Sequence, residues 1–145
     1  MLSNSSKYAI RALIYLALKD EGNKIGIKQI AKDLEIPSPF LGKIMQSLAK
    51  HKLLSSSKGP NGGFGLGRAA NDIYLIDIVE VIDGLDFFDS CLIGLKSCSS
   101  GHESKHCPTH EKFSPIRNEL KRLFKEESIG KLAEKIKENE GSIRI

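Results

Sequence analysis

Cysteine is scarce in this chain, three in 145 residues, and an odd number cannot all pair in internal disulfides. Long apolar runs are missing too. The N-terminal stretch from Tyr8 to Leu18 is interrupted by Arg11 and closed by Lys19, with no small-residue cleavage site after it, so it reads as neither a signal peptide nor a membrane span. A cytoplasmic protein is expected, and in a reducing compartment a few close cysteines point to metal or redox chemistry before a disulfide framework. Two further absences are local. From Pro37 to Asn71 there is no acidic residue, only Lys43, Lys50, Lys52, Lys58 and Arg68; from Asp72 to Ser90 there is no lysine or arginine, only Asp72, Asp77, Glu80, Asp83, Asp86 and Asp89. The modest net charge of +4 therefore conceals one segment suited to meet an anion and a following one that is not. No internal repeat or low-complexity tract is present, and the length suits one domain, or one small domain with an appended helical segment.

Helical periodicity organises the first third. Ile10, Leu13, Ile14 and Ala17 share one face of a helix over residues 6–20, with Gly22 as a stop. Ile27, Ile30, Ala31 and Leu34 repeat the pattern over 27–35, until Glu35-Ile36-Pro37-Ser38-Pro39 forces an extended break. Ser38 is a natural N-cap with Pro39 at the first helical position, and Leu41, Ile44, Met45 and Leu48 line a third helix as far as His51. Two short helices across a tight turn, the second one basic, form a helix-turn-helix. Leu53 to Ser57 then reads as a strand, Lys58-Gly59-Pro60-Asn61-Gly62-Gly63 as a turn, and Phe64 to Arg68 as the returning strand of a β-hairpin wing. These glycines do not make a phosphate loop, because no Gly-Lys-Ser/Thr ends the run and no strand-to-helix transition surrounds it.

Asn71 or Asp72 precedes a helix with Leu75, Ile78, Val79 and Ile82 on one face, ended by Gly84, its acids forming the solvated side. Farther on, Phe113, Ile116, Leu120, Leu123 and Phe124 fall at helical spacing, with Arg117, Lys121, Arg122 and Lys125 between them. That is more apolar face than a reader domain of this size needs, so the helix is expected to pair with a second copy of itself or lie across a partner subunit. A last helix carries Ile129, Leu132, Ala133 and Ile136, with fraying from Lys137. The expected fold is mainly α with a small β-hairpin wing: a winged helix-turn-helix plus a long C-terminal dimerisation helix.

Between these helices, residues 91–110 hold every cysteine and three of the four histidines. Gly94, Gly101, Pro108 and four serines deny this stretch a regular period, so it reads as a loop that needs a bound metal to hold a shape. Thiolates suit iron–sulfur clusters and zinc, and His110, just beyond Cys107, can close the coordination. Cys91, Cys98, Cys107 and His110 are the expected ligands, with His102 and His106 as alternative fourth ligands. The spacing is wider than the Cys-x2-Cys knuckles of most structural zinc sites, which favours iron–sulfur over zinc. His51 is read as a helix cap or phosphate neighbour. An enzyme would have to draw Cys107 and His106 or His110 as nucleophile and base, yet these share one loop without a third orienting group, so no enzymatic activity is expected.

For the basic segment the expected partner is double-stranded DNA. A helix fits the major groove, lysines neutralise phosphates, and a wing reaches the neighbouring minor groove. Ser38, Lys43 and Gln46 are the candidates for base edges, Lys58 and Asn61 for the wing tip, and Lys50 and Lys52 for phosphates. Scattered cations on a solvated face are the bland alternative, which the absence of acids and the order helix-turn-helix-wing disfavour.

Three stretches together resemble the Rrf2 family of bacterial transcription regulators: the opening Ser6-Lys-Tyr-Ala-Ile-Arg-Ala-Leu13, the wing string from Leu53 to Arg68, and the three-cysteine loop. The resemblance covers roughly Met1 to Ile136. It implies a homodimer with a winged reader and a long crossing helix, and an iron–sulfur cluster on Cys91, Cys98 and Cys107. In relatives the fourth ligand is either a histidine just after the third cysteine, matched here by His110, or an acid near the start of helix one, matched here by Lys7, which cannot ligate. This favours a histidine-ligated two-iron (2Fe-2S) form over a four-iron (4Fe-4S) one. Relatives often carry arginine where the wing has Lys58, and some carry glutamate where the reading helix has Gly42, so operator preference is expected to differ. The implied divisions are residues 1–90 as the DNA-binding domain, 91–110 as the cluster loop, and 111–145 as dimerisation helix and tail. The alternative from another class is a zinc-stapled or thiol-based regulator or interaction protein without a cluster.

Overall fold

The computed structural model describes residues 2–19, 22–93 and 108–139. Helix α1 (Asn4–Leu18) begins earlier than its apolar period suggests, because Ser3 caps it: the Ser3 hydroxyl accepts the Ser6 N–H at 3.1 Å. Ala9, Ala12, Leu13, Ile14 and Leu16 make its buried face. Helix α2 (Ile27–Leu34) ends on Glu35 in the left-handed region, φ 57°, and the Ile36 N–H reaches back to Ala31 O at 2.9 Å, which turns the chain tightly into the next helix. Helix α3 (Ser38–Lys50) starts one residue before the expected position. Pro37, locked at φ −57° with an extended ψ, already supplies the break, so it holds the cap position and Ser38 lies inside the helix without a capping bond.

Strands β1 (Leu54–Ser57) and β2 (Gly63–Leu66) pair antiparallel, Leu54 opposite Leu66 and Ser57 opposite Gly63. Ile25, in the segment before α2, bridges to Phe64 through two backbone bonds of 2.9 and 2.8 Å, so the wing is tied back to the helix pair. A short 3-10 turn at Ala70–Asp72 leads into α4 (Leu75–Ile82), and a second at Asp86–Phe88 follows it. Helix α5 spans His110–Glu126 and α6 spans Ile129–Glu138. Ser128 caps α6, and an isolated antiparallel bridge between Tyr74 and Ser128 joins the entrances of α4 and α6, with Leu75 N–H on Glu127 O at 3.0 Å and Ile129 N–H on Ile73 O at 2.8 Å.

Two apolar clusters result. The main core gathers α1, α2, α3 and β1 with Ile73 and Ile78, and Ile129 and Ile136 of α6 belong to it. A satellite core of Val79, Phe88 and Phe124 ties α5 to the rest, Phe88 stacking edge-on to Phe87 and Phe124 at centroid distances of 5.0 and 5.3 Å. Asp83, exposed as expected of the solvated side of α4, also accepts from the Ser3 N–H at 3.2 Å, the Ser3 hydroxyl at 2.5 Å and the Ser6 hydroxyl at 2.8 Å, joining the end of α4 to the start of α1. These bonds are tertiary: α4 runs alongside α1, and its end falls beside Ser3 and Ser6 at the start of that helix. Among the described residues no helix is long and apolar enough to cross a membrane.

Candidate nucleic-acid interface and metal-ligand loop

Helix α3 buries Leu41, Ile44, Met45 and Leu48. At about 100° per residue, Lys43, Gln46 and Lys50 fall on the opposite side, and all three are exposed. Burying one face thus aims the other outward without further device. Between this stripe and the wing lies an open cleft of about 550 Å³, lined by Gln46, Lys50, Ser57, Lys58 and Phe64 among others. The fold therefore brings Gln46, Lys50 and Lys58 around one concavity. Lys43 lies farther up the same stripe, and Ser38 sits half-exposed at the head of the helix, off the stripe's centre.

The wing tip carries Lys58 and Asn61, both exposed, on a turn closed by the Gly62 N–H to Gly59 O bond of 2.9 Å. Gly63 has φ +151°, and a Cβ there would collide with the Ile25 carbonyl. Lys52 is set apart from these groups. It occupies a left-handed turn, φ 63°, at the base of the hairpin, with the whole of β1 between it and Lys58. His51 is the C-cap of α3, its Nδ1 bonded to Ser47 O at 2.9 Å, which agrees with the cap reading.

Several supporting residues are invisible to local pattern. The Lys24 ammonium donates to the Ser55 hydroxyl, fastening the approach to α2 onto β1. The Tyr15 hydroxyl donates to Asp33 at 2.5 Å, and Arg11 reaches Leu34 O at 3.4 Å, so α1 grips the end of α2. Burial, and then the Asp33 carboxylate, push the Tyr15 phenol up to about 12; the bond from Tyr15, helped by Gln29, holds Asp33 below the usual carboxylate range. No periodicity signals these contacts, since each joins distant segments.

At the other pole, Cys91 is half-buried and free of any disulfide. Cys98, Cys107, His102 and His106 lie outside the described residues, and among the described ones no group of three metal-ligating side chains occurs. The segment that delivers Cys91 is held against α5: Lys121 pairs with Asp89 at 3.5 Å, and Arg117 donates to Ser90 O at 3.5 Å. His110 differs from its expected loop position by opening α5 itself. From His110 to Arg117 the helix rises about 10 Å. Both described ends of the loop are thus attached to one helix, between His110 and Lys121, and a thiol and an imidazole are donor types that suit iron.

Over residues 2–135 the chain matches the family described as Rrf2, iron-dependent transcriptional regulator. The protein belongs to the Rrf2 family. Its relatives include a chain of Aquifex aeolicus assigned to the HTH-type transcriptional regulators, 34% identical over 125 residues, 86% of this chain and 85% of that one. Another is the HTH-type transcriptional regulator IscR of Escherichia coli, 26% identical over 131 residues, 90% of this chain and 78% of that one. Among solved structures, CymR (YrzC), the global cysteine regulator of B. subtilis, aligns with a TM-score of 0.77 and 22% identity over 92% of this chain and 96% of the other. IscR of T. potens aligns with a TM-score of 0.74 and 20% identity over 100% and 93%. At these identities the two structures speak to the fold, which is that of winged-helix Rrf2 proteins, mostly helical with a two-stranded hairpin. This Rrf2 protein is a DNA-binding transcriptional regulator and not an enzyme, as its sequence led one to expect.

Proposed function

We propose that this Rrf2 regulator binds operator DNA as a homodimer, and that an iron–sulfur cluster held by Cys91, Cys98, Cys107 and His110 makes its affinity or site choice respond to redox state, nitric oxide or cluster supply. The observation that carries the reading is the attachment of the cysteine loop at both ends to α5, through Lys121–Asp89 and Arg117–Ser90 on one side and His110 on the other. The cluster, when bound, supplies a redox-active centre whose charge and integrity answer to oxidants. The two-iron form fits the histidine ligand.

The chain's own residues do the rest. Ile116 and Leu123 keep 64% and 48% of their surface and share one side of α5, an apolar stripe suited to a second copy of the same helix. A two-fold dimer sets its reading helices for half-sites about 34 Å apart, so a small shift of α5 changes the fit to DNA. In this scheme residues 1–90 read DNA, 91–110 hold the cluster, and 111–145 carry the dimer contact and tail. Ser38, Lys43 and Gln46 face base edges, Lys50 and Lys52 bind phosphates, and Lys58 and Asn61 follow the minor groove. A regulator acting so works in the cytoplasm.

The test is anaerobic purification of wild type and Cys98→Ala, with an ultraviolet–visible spectrum, iron, sulfide and zinc analysis, and light scattering on the same samples. Brown dimeric wild type with iron and acid-labile sulfide, and a colourless variant, are expected. Stoichiometric zinc, or a metal-free thiol protein that resists reconstitution, would support the zinc-stapled or thiol-based alternative and leave only the DNA-binding half. A Cys98→Ala protein that holds a normal cluster would sink the ligand assignment.

A further inference from the structure

The reading helix opens on a turn without charge. Ser38, Pro39, Phe40, Leu41 and Gly42 all precede its first cation, Lys43. Leu41 is fully buried, but Pro39 is exposed and Phe40 keeps 43% of its surface, although aromatic rings of soluble proteins are ordinarily well covered. Phe40 is held in place. The Tyr8 ring of α1 meets it edge-on, with centroids 5.7 Å apart and planes at 89°. Pro39 falls on the mid-line of the stripe formed by Lys43, Gln46 and Lys50, and Phe40 lies at its margin. Gly42, on the other margin, would meet nothing within 4 Å if it carried a Cβ, so no intramolecular contact explains a glycine in this helix.

We infer that this leading turn is an apolar reader of thymine. Resting on the assignment of α3 as the reading helix, the inference puts the Pro39 ring, with Phe40 beside it, against the C5-methyl group of one thymine in each half-site. Gly42 lets the helix backbone come close to the groove. The first residues of a recognition helix are those that touch base edges, and the thymine methyl is the apolar feature that the major groove presents. Lys43 and Gln46, one turn on, then meet polar edges.

The experiment uses the full-length protein, purified anaerobically, and a duplex that it enriches from a random-sequence pool. Each thymine is replaced singly by uracil, which removes the methyl group alone. One thymine per half-site should show an affinity loss of about fourfold for wild type, the worth of one buried methyl group. In Pro39→Ala and Phe40→Ala, which circular dichroism should find folded, the thymine-to-uracil ratio at that position should fall toward one. Tight binding with no uracil-sensitive position would overturn the inference, and so would a ratio unchanged in both variants. Failure to enrich any duplex would instead overturn the assignment of α3, and the inference with it.

Discussion

Replacing Gly63 by alanine should unhook the wing from the helix pair. At φ +151° an alanine is strained, and its methyl group would collide with the Ile25 carbonyl, which is backbone and cannot swing aside. Two bonds are at stake, Ile25 N–H to Phe64 O at 2.9 Å and Phe64 N–H to Ile25 O at 2.8 Å. At about 1 kcal/mol net for each bond and about 1–2 kcal/mol for the backbone conformation, the loss is about 3–4 kcal/mol. For a chain of this size that corresponds to a fall in Tm on the order of 10 °C, measured at fixed protein concentration because a dimer's Tm depends on it. If the strain is relieved locally, the wing swings away and Lys58 leaves the cleft it shares with Gln46 and Lys50. Calorimetry and DNA binding as a function of salt therefore belong together. A Gly63→Ala protein with both the wild-type Tm and the wild-type salt dependence would refute the reasoning.

Lys58→Ala should weaken operator binding and lower the slope of log affinity against log salt by about one for each protomer, if the ammonium neutralises one phosphate; an unchanged slope removes Lys58 from the interface. Asp83→Asn should cost about 1 kcal/mol near neutral pH, because Ser3 and Ser6 would lose a charged acceptor. Burial raises the Asp83 carboxyl, but the bonds from Ser3 and Ser6 outweigh it and hold the group below its ordinary 3.8. A depressed folded-state pKa means stability that is present above about pH 4 and lost as pH falls through the folded value, so wild type and variant should converge in acid urea titrations. A constant gap from pH 7 to pH 2 would show that Asp83 acts through shape alone.

Local pattern revealed what local physics decides. The apolar periods of α1 to α4 and α6, and the turn residues between β1 and β2, were each sufficient to locate their elements. Legibility failed where distant segments decide the outcome. The bonds that Asp83 makes from its exposed position were not legible, because nothing near it in sequence says that Ser3 and Ser6 will stand opposite. The period of α5 was legible from Phe113 onward, but not that His110 already opens the helix, because His110, Glu111 and Lys112 carry no apolar side chain to extend the period. Phe87 and Phe88 carry no period at all, yet Phe88 anchors the satellite core under Phe124. Of the interface, the cations were plain in the charge pattern; the cleft joining Gln46, Lys50 and Lys58 needed the hairpin's actual placement.

The seating of α6 bears on how the protein is made. Ile129 and Ile136 complete the core that α1 begins, so α1 buries its face against a helix synthesised well after the reading helix and the wing. A nascent chain that already displays α3 and the wing still lacks that cover. A complete core beneath α3 therefore waits for α6, by which time α5 and its attached cysteine loop have emerged, and a messenger broken before α6 yields a chain with an open apolar face rather than an unregulated binder.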